Sequence, residues 1–282
     1  MLLGCTTAGQ GVSTPAGLSD DVVAAPGMTP EAEAAEARAH AALRATPPDW
    51  QAAREGFEIA AAAGSVAAMT QLGWIYEQGH GVPVDGEAAA RWYAEAARRG
   101  APEYALKLGW MYLGGQGVAQ DVAQAEHWFQ TAIEADYAPA RLAWASVLIA
   151  DAQGGVEPAR VDEARTLLDA ALADGETLAT HFLVRLYREG IGGHPIDAAR
   201  AADYAQIGAA HGHAQVQARL AYMYLEGEGV AQDALTAAKW ANLAAAGGDA
   251  SGDRLRRLLD DVLTEAERRE VRARAVAWAV AQ

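Results

Sequence analysis

The chain contains a single cysteine, and its 22 basic residues are outnumbered by 37 acidic ones, for a net charge of −15. A lone cysteine has no disulfide partner within the chain and carries no information about redox compartment. The deficit of basic residues argues against nucleic-acid binding, because phosphates need a basic footprint. No stretch approaches the ~20 apolar residues of a transmembrane helix. With an Ala-rich composition, these deficits favour an acidic helical scaffold.

Patterns that carry catalytic or cofactor chemistry are also lacking. The Gly-x-Gly turns have no preceding strand pattern, so they are not dinucleotide fingerprints, and no nucleophile elbow is present. His211-Gly212-His213 offers two imidazoles, with His181 or His194 as a third, but no cysteine or fixed histidine spacing supports a zinc site. We therefore predict a protein that is not an enzyme, with no catalytic residue, no metal and no cofactor.

One stretch, from Leu72 to Tyr93, recurs along the chain. It contains L-G-W-I-Y, then G-H-G-V, an Asp and R-W-Y, and it reappears 36 residues later. The leucine that marks each recognisable copy stands at Leu72, Leu108, Leu183 and Leu220. A degenerate copy extends from Ala140 to Gly175, with an extended turn at Gly154-Gly155. A fixed period of this length is the signature of a repeat array, and we count five repeats.

Each copy predicts a pair of helices joined by a glycine-rich turn. In the first helix, apolar residues such as Met69, Leu72 and Ile75 share one face at about 100° per residue. An aspartate then stands where the second helix begins and is predicted to cap it; these are Asp85, Asp121, Asp197 and Asp233. The second helix carries a large residue, and Trp92, Trp128 and Trp240 are predicted to be core positions.

Residues Leu72 to Gly100 carry most completely the motif L-G-x-x-Y-x-x-G-x-G-V-x-x-D…A-x-x-W-Y-x-x-A-A-x-x-G. This motif resembles that of the Sel-one-like repeat (SLR) family, a relative of tetratricopeptide repeats. The third and fourth copies depart from it, with Ala145 and Val184 where glycine is expected. The resemblance implies an all-α fold, a right-handed α-solenoid of stacked antiparallel helix hairpins. It also implies a protein-interaction scaffold, but no particular activity.

A row of residues on the first helices lies opposite the core stripe. Trp74 is about 200° from Leu72 around the helix axis, and the same register holds in later copies. We name as partner-binding candidates on the concave face Trp74, Glu77, Trp110, Leu113, Arg185, Arg188 and Tyr222. Tryptophan, tyrosine and arginine are typical of interface hot spots. The alternative, that this face is buried against the next repeat's first helix, remains open.

The amino terminus has a different character. Met1-Leu2-Leu3-Gly4-Cys5 resembles the bacterial lipobox that precedes a lipidated cysteine, although no basic and apolar signal region stands before it. Either the natural start lies upstream or the match is accidental. The following residues are rich in Thr, Ser, Gly, Pro and Ala, as in a flexible tether. We expect Cys5 to be lipidated and the protein to be a periplasmic, membrane-anchored lipoprotein; a cytoplasmic protein is the alternative.

The sequence divides into four segments. Residues 1–29 form the lipobox-like start and tether, and residues 30–64 form N-terminal capping half-repeats, in which Pro47-Pro48 ends a helix and Asp49 caps the next. Residues 65–248 hold the five repeats. Residues 249–282 form two C-terminal capping helices, predicted over Arg254–Leu263 and Glu265–Val280, with Thr264 as the second cap.

The predicted function is a non-catalytic adaptor that binds one or more proteins in a concave groove, as a monomer. Lipid-anchored members similar to it support envelope or exopolysaccharide machinery, or regulate wall enzymes and sensor kinases. A hydrolase or binding protein that acts on cell-wall-derived ligands is the alternative. An enzyme needs convergent titratable groups in a pocket, whereas an adaptor needs a continuous groove.

Overall fold

The computed structural model describes residues 28–152 and 158–281, which form fourteen α-helices and no β-strand. In chain order the helices are α1 (Pro30–Arg44), α2 (Trp50–Ala62), α3 (Val66–Gln78), α4 (Gly86–Arg98), α5 (Pro102–Gly114), α6 (Val122–Glu134), α7 (Ala138–Ala152), α8 (Pro158–Ala173), α9 (Ala179–Glu189), α10 (Ala198–Ala210), α11 (Ala214–Glu226), α12 (Ala234–Ala246), α13 (Ala250–Val262) and α14 (Glu265–Val280). The all-α prediction is confirmed. Cys5, nearly all of the predicted tether and the predicted turn at Gly154-Gly155 lie outside the described residues.

The helices group into two compact units, Met1–Ala101 and Pro102–Gln282. In the first unit, α1 packs against α2, α2 against α3 and α3 against α4. In the second unit, each of α5 to α12 packs against the next helix in sequence, and α14 packs against α12. The first helices of successive hairpins also form a row of contacts from α5 through α7, α9 and α11 to α13. Stacked helix hairpins of this kind are the architecture of an α-solenoid, as the repeat pattern predicts.

The turn within each recognisable repeat is built on its aspartate. The Asp85 carboxylate accepts a hydrogen bond from the Ala88 backbone N–H at 2.8 Å, and Asp85's own N–H donates to the Tyr76 carbonyl at 2.9 Å. The same pair of bonds recurs at Asp121, Asp197 and Asp233. Gly79 ends α3 at φ +72°, in the left-handed region that favours glycine. The predicted aspartate caps are confirmed.

Close approach between α3 and α4 depends on a glycine in α3. A Cβ on Gly73 would lie 2.4 Å from Cε1 of Tyr93, so the tyrosine ring rests on the α3 backbone. Tyr93 is fully buried, whereas Trp92 is only half-buried. The prediction of Trp92 as a core residue was therefore wrong by one position, because the ring that faces the first helix is the following one. Trp128 and Trp240 are buried, as predicted.

In the first unit, α1 is tied to the start of α3. The Ser65 hydroxyl donates to the buried Glu36 carboxylate at 2.9 Å and accepts from the Ala68 N–H, which caps α3. The predicted cap of α2 at Asp49 is confirmed. Thr29 caps α1, which begins at Pro30. The buried Glu36 carboxylate needs a partner such as Ser65, since burying a carboxylate without a hydrogen bond costs free energy.

The carboxyl-terminal segment forms two helices, but the first begins earlier than predicted. It starts at Ala250 rather than Arg254, capped by Asp249, because Gly252 packs its bare backbone closely against Ala244. Glycine has a low helix propensity, so the sequence pattern places the start of the helix after Gly252. The close contact with Ala244 outweighs that low helix propensity. The capping box of Thr264 with the residue three positions on is confirmed. Within the described ranges, no helix has the length and apolar character needed to span a bilayer.

Candidate functional site

The predicted surface row begins, in the first unit, at an aromatic cluster. Trp74 on α3 lies 4.5 Å from the His80 ring and 6.0 Å from the Trp50 indole, while Trp50 and His80 stack at 4.2 Å between ring centroids. Burial lowers the pKa of His80. Trp74 is half-buried in this cluster, and its predicted role in partner binding stays a prediction.

Glu77, the next candidate along α3, has a structural contact. Its carboxylate accepts a hydrogen bond from the Tyr93 hydroxyl at 2.8 Å, which links α3 to α4. The ring of Tyr93 rests on Gly73, so the hydroxyl and the ring together hold the hairpin. Glu77 therefore stabilises the repeat, and its predicted role in partner binding stays a prediction.

Trp110 and Leu113 are the candidates on α5, in the second unit. Trp110 is 41% exposed, and its ring meets the buried Phe129 ring edge-on at 5.2 Å. Leu113 is half-buried and packs against the core, and its predicted role in partner binding stays a prediction. Trp110 thus presents an accessible indole whose inner edge is fixed by the core.

The remaining candidates meet on α9 and α11. Arg188 donates from Nε to both oxygens of Glu228 at 2.8 Å. Arg185 and Arg219 share a second carboxylate, Glu189, at 3.5 and 3.3 Å. Three guanidinium groups therefore share two carboxylates. Burial, reinforced by the charge of Arg188, lowers the pKa of Arg219.

These side chains border a cavity of about 540 Å³, which we call the polar pocket. It is lined by His181, Arg188, Gln215, Ala218, Arg219, Tyr222, Asp249 and Ser251. The four lining residues from α11 are spaced i, i+3, i+4 and i+7, so they form one face of that helix. The structure thus brings together Arg188 and Tyr222, two of the residues predicted from sequence.

A second cavity of about 320 Å³, the apolar pocket, adjoins the first. It is lined by Leu142, Leu178, His181, Phe182, His213, Ala214, Gln215 and Val216. His181 and Gln215 line both cavities, so the two pockets are adjacent, and together we call them the α9–α11 groove. Leu178 is 52% exposed at its rim. The groove combines an apolar recess with a polar wall that carries Arg188, Arg219 and Asp249.

The histidines of the groove make protein contacts rather than a metal site. The Thr177 hydroxyl and His213 Nε2 lie 2.7 Å apart, and His211 Nδ1 lies 2.9 Å from the Ile207 carbonyl. Burial lowers the pKa of His181, and the nearby arginines Arg219 and Arg185 lower it further. Over residues 28–152 and 158–281, no cluster of three or more potential metal ligands is present.

The carboxylates in and beside the groove all have partners within the protein. The Asp249 carboxylate accepts hydrogen bonds from the Ser251 and Gly252 N–H groups at 2.8 Å and so caps α13. Glu228 and Glu189 are occupied by arginines. The arrangement supplies hydrogen-bond donors, positive charge and apolar surface, which suit recognition of an extended segment.

Sequence reasoning missed most of the groove because it followed only two positions of each first helix. It identified residues two and five positions after the motif leucine, which reach Arg185 and Arg188 on α9. Extending the same face towards the helix amino terminus, by i−3 and i−4 steps, reaches His181 from Arg185 and Arg219 from Tyr222. The signal was therefore present in the helical period. The participation of Leu142 was not, since it depends on how α7 packs beside α9.

Comparisons with known proteins agree with the repeat pattern. The family model described as Sel1 repeat matches residues 66–100, 102–137, 178–213 and 214–249, together just over half of the chain. The predicted degenerate copy falls in the unmatched interval, where α7 and α8 nevertheless form a packed hairpin. Its assignment as a fifth repeat stays a prediction.

Two solved structures are similar to the protein. One is a protective antigen of uropathogenic Escherichia coli with an SLR fold, which is 25% identical with a TM-score of 0.66 and covers 82% of this chain. This chain spans 49% of that antigen, about half its length. The other is a Sel1 repeat protein from Oxalobacter formigenes, 25% identical with a TM-score of 0.58, over 78% of this chain and 86% of that one. Curated proteins yield no match.

Proposed function

Because the chain belongs to the Sel1 repeat family, whose members generally mediate protein–protein interaction, we propose that it is a non-catalytic adaptor that holds a protein partner in the α9–α11 groove. The observation that carries this proposal is the pair of adjacent pockets, which share His181 and Gln215 along the first-helix face. Solenoid proteins bind their partners on extended surfaces of this kind. The carboxylates near the groove already have intramolecular partners, which favours binding over catalysis.

A site-specific photocrosslinker tests the proposal. Gln215 lines both pockets, so a crosslinking residue placed there lies within reach of any bound segment. The matched control is Asp203, which is exposed on the second helix α10. We expect one partner to be crosslinked in cells from position 215 and not from 203. We also expect that partner, once purified, to bind the purified protein saturably. Equal crosslinking from both positions would contradict the proposal.

The adaptor acts at the bacterial cell envelope in this proposal, as a periplasmic protein anchored through lipid on Cys5. The support is the sequence Leu2-Leu3-Gly4-Cys5 and the Gly-, Ser- and Pro-containing segment after it. Expression from the natural gene with a fatty-acid analogue provides the test. Label on the wild-type protein that is lost in Cys5→Ser is expected, and equal labelling of both proteins would end the lipid-anchor proposal.

A further inference from the structure

The α9–α11 groove gathers arginine side chains in a protein that is strongly acidic. The net charge of the chain is −15, yet Arg188 and Arg219 line the polar pocket together with Asp249. Arg185 lies beside them, and Glu189 and Glu228 pair with these arginines. Field lines concentrate in such a cleft, where low-dielectric walls screen charge poorly. The arginines therefore balance the acidic side chains at this wall, and the Asp249 carboxylate is held by the backbone N–H groups that open α13. An anionic group thus meets less repulsion here than over the acidic protein as a whole.

The guanidinium of Arg188 retains unused hydrogen-bonding capacity towards such a group. It holds Glu228 through Nε alone, which leaves the four N–H bonds of its terminal nitrogens outside that ion pair. Arginine's planar fork matches a carboxylate, which it can bind through two parallel hydrogen bonds. Arg219 lines the same pocket from α11. The polar pocket thus has the donors that a carboxylate requires.

The apolar pocket, next to it, needs an apolar occupant. Leu142, Phe182 and Val216 line a volume of about 320 Å³, with the exposed Leu178 at its rim. This is enough space for a leucine or phenylalanine side chain, and an exposed apolar recess bordered by polar residues is typical of a binding site. Apolar burial would supply affinity there, whereas the arginines would supply selectivity.

The distance between the two pockets sets the spacing of these groups. Gln215 is shared, and Arg219 and Tyr222 lie four and seven residues further along α11, about 6 and 10 Å at the helical rise. An extended peptide advances about 3.3 Å per residue. In a bound extended peptide, the apolar side chain that enters the apolar pocket is therefore two or three residues away from the acidic side chain that enters the polar pocket.

We propose that the α9–α11 groove binds an extended segment of a partner protein that carries one large apolar side chain and an Asp or Glu two or three residues away. This inference rests on the proposed adaptor function and names its partner's chemistry. Arg188 and Arg219 recognise the carboxylate, and the pocket around Phe182 takes the apolar side chain.

Selection from a random library of linear peptides tests the proposal. We expect selected peptides to share a large apolar residue with Asp or Glu two or three positions away. Synthetic peptides with amidated carboxyl termini then bind in fluorescence anisotropy, which separates a side-chain carboxylate from a terminal one. Arg219→Gln is expected to weaken binding about tenfold, as loss of a charge-assisted contact does. Arg91→Gln, on the exposed face of α4, is the matched control and leaves affinity unchanged.

Two further variants help to separate a loss of peptide binding from a loss of folding. Leu178→Ser alters an exposed side chain and is expected to weaken binding without changing the thermal melt. Arg219→Glu is expected to reject acidic peptides. Selected peptides without an acidic residue, unchanged affinity in Arg219→Gln, or no selection at all would overturn the proposal. Crosslinking from Gln215 reports separately on the adaptor function, because a folded partner is captured there whatever its segment chemistry.

Discussion

The repeats at residues 66–137 and those at 178–249 solve the same packing problem in different ways. In the earlier pair, a glycine on the first helix receives an aromatic ring from the second, as Gly109 receives Phe129. The later pair lacks this arrangement. One hairpin has Val184 on the first helix and Ala205 at the corresponding position of the second, and the other hairpin has Ala221 and Ala241, all of them buried. The comparison teaches that the contact of an aromatic ring with a glycine is one of several ways to pack the hairpin, and that in the hairpin of Val184 the larger side chain stands on the other helix.

The exposed faces of the two pairs differ as well. Trp74 and Trp110 occupy the surface row in the earlier repeats, and both rings rest partly on aromatic neighbours of their own unit. In the later repeats the row holds Arg185 and Tyr222, beside the α9–α11 groove. Because the core stripe provides the packing within each hairpin, the outer face can diverge more freely. In our proposal the binding chemistry lies in the later pair.

Removing an aromatic core ring from the earlier pair is expected to cause the largest loss of stability. Phe129 is fully buried and contacts Trp110 and Trp144 at ring-centroid distances of 5.2 and 5.3 Å. Phe129→Ala should lower the free energy of unfolding by about 3–5 kcal/mol, because it leaves a cavity. Urea denaturation measures this loss. Trp110→Ala, which truncates an exposed neighbour, should cost about 1 kcal/mol, and equal losses would contradict the assignment of the core.

Exchanging the packing mode of one repeat sharpens the comparison. A Cβ on Gly109 would lie 2.8 Å from the Phe129 ring, so Gly109→Val should cost about 1–3 kcal/mol through overpacking. The double variant Gly109→Val, Phe129→Ala reproduces the combination of Val184 and Ala205. Its loss should be smaller than the sum of the single losses, as measured in a double-mutant cycle. Strict additivity would show that volume is not exchanged between these positions.

The capping turn is common to both pairs, and a substitution there is expected to cause the smallest loss of stability. The Thr236 hydroxyl donates to Asp233 at 2.7 Å and lowers the pKa of that carboxyl. Thr236→Ala should therefore lower the free energy of unfolding by less than about 1 kcal/mol at neutral pH.

The difference in unfolding free energy between wild type and Thr236→Ala depends on pH, and the direction of that dependence follows from the pKa of Asp233. The folded pKa of Asp233 lies below the value of about 3.9 for an unfolded Asp. Its stabilisation is thus present above pH ~3.9 and is lost as pH falls through the lower folded pKa. The free-energy gap between wild type and Thr236→Ala should shrink in acid. A gap that widens in acid would rule out the ionised carboxylate as the acceptor.

Much of the fold could be predicted because its determinants are local. The Asp121 cap requires only a backbone N–H three residues on, and the helix over Glu265–Val280 follows from Thr264 and Glu267 at that same spacing. The start of α13 could not be predicted from propensity, because Gly252 is helical through contact with Ala244 on another helix. Trp92 was misplaced by one residue for a similar reason. The rotation of the second helix about its axis is set by the ring that fits against the first.

The sequence by itself determined the repeat period, the helix pairs, their caps and the family, since each depends on spacing along one or two helices. Only the tertiary structure decided which side chains of the surface row meet. Arg188 and Glu228 are 40 residues apart, and they pair because α9 and α11 stack. The groove also requires Leu142 from α7. Its shape depends on the rotation between successive hairpins, which arises from the summed volumes of many buried side chains.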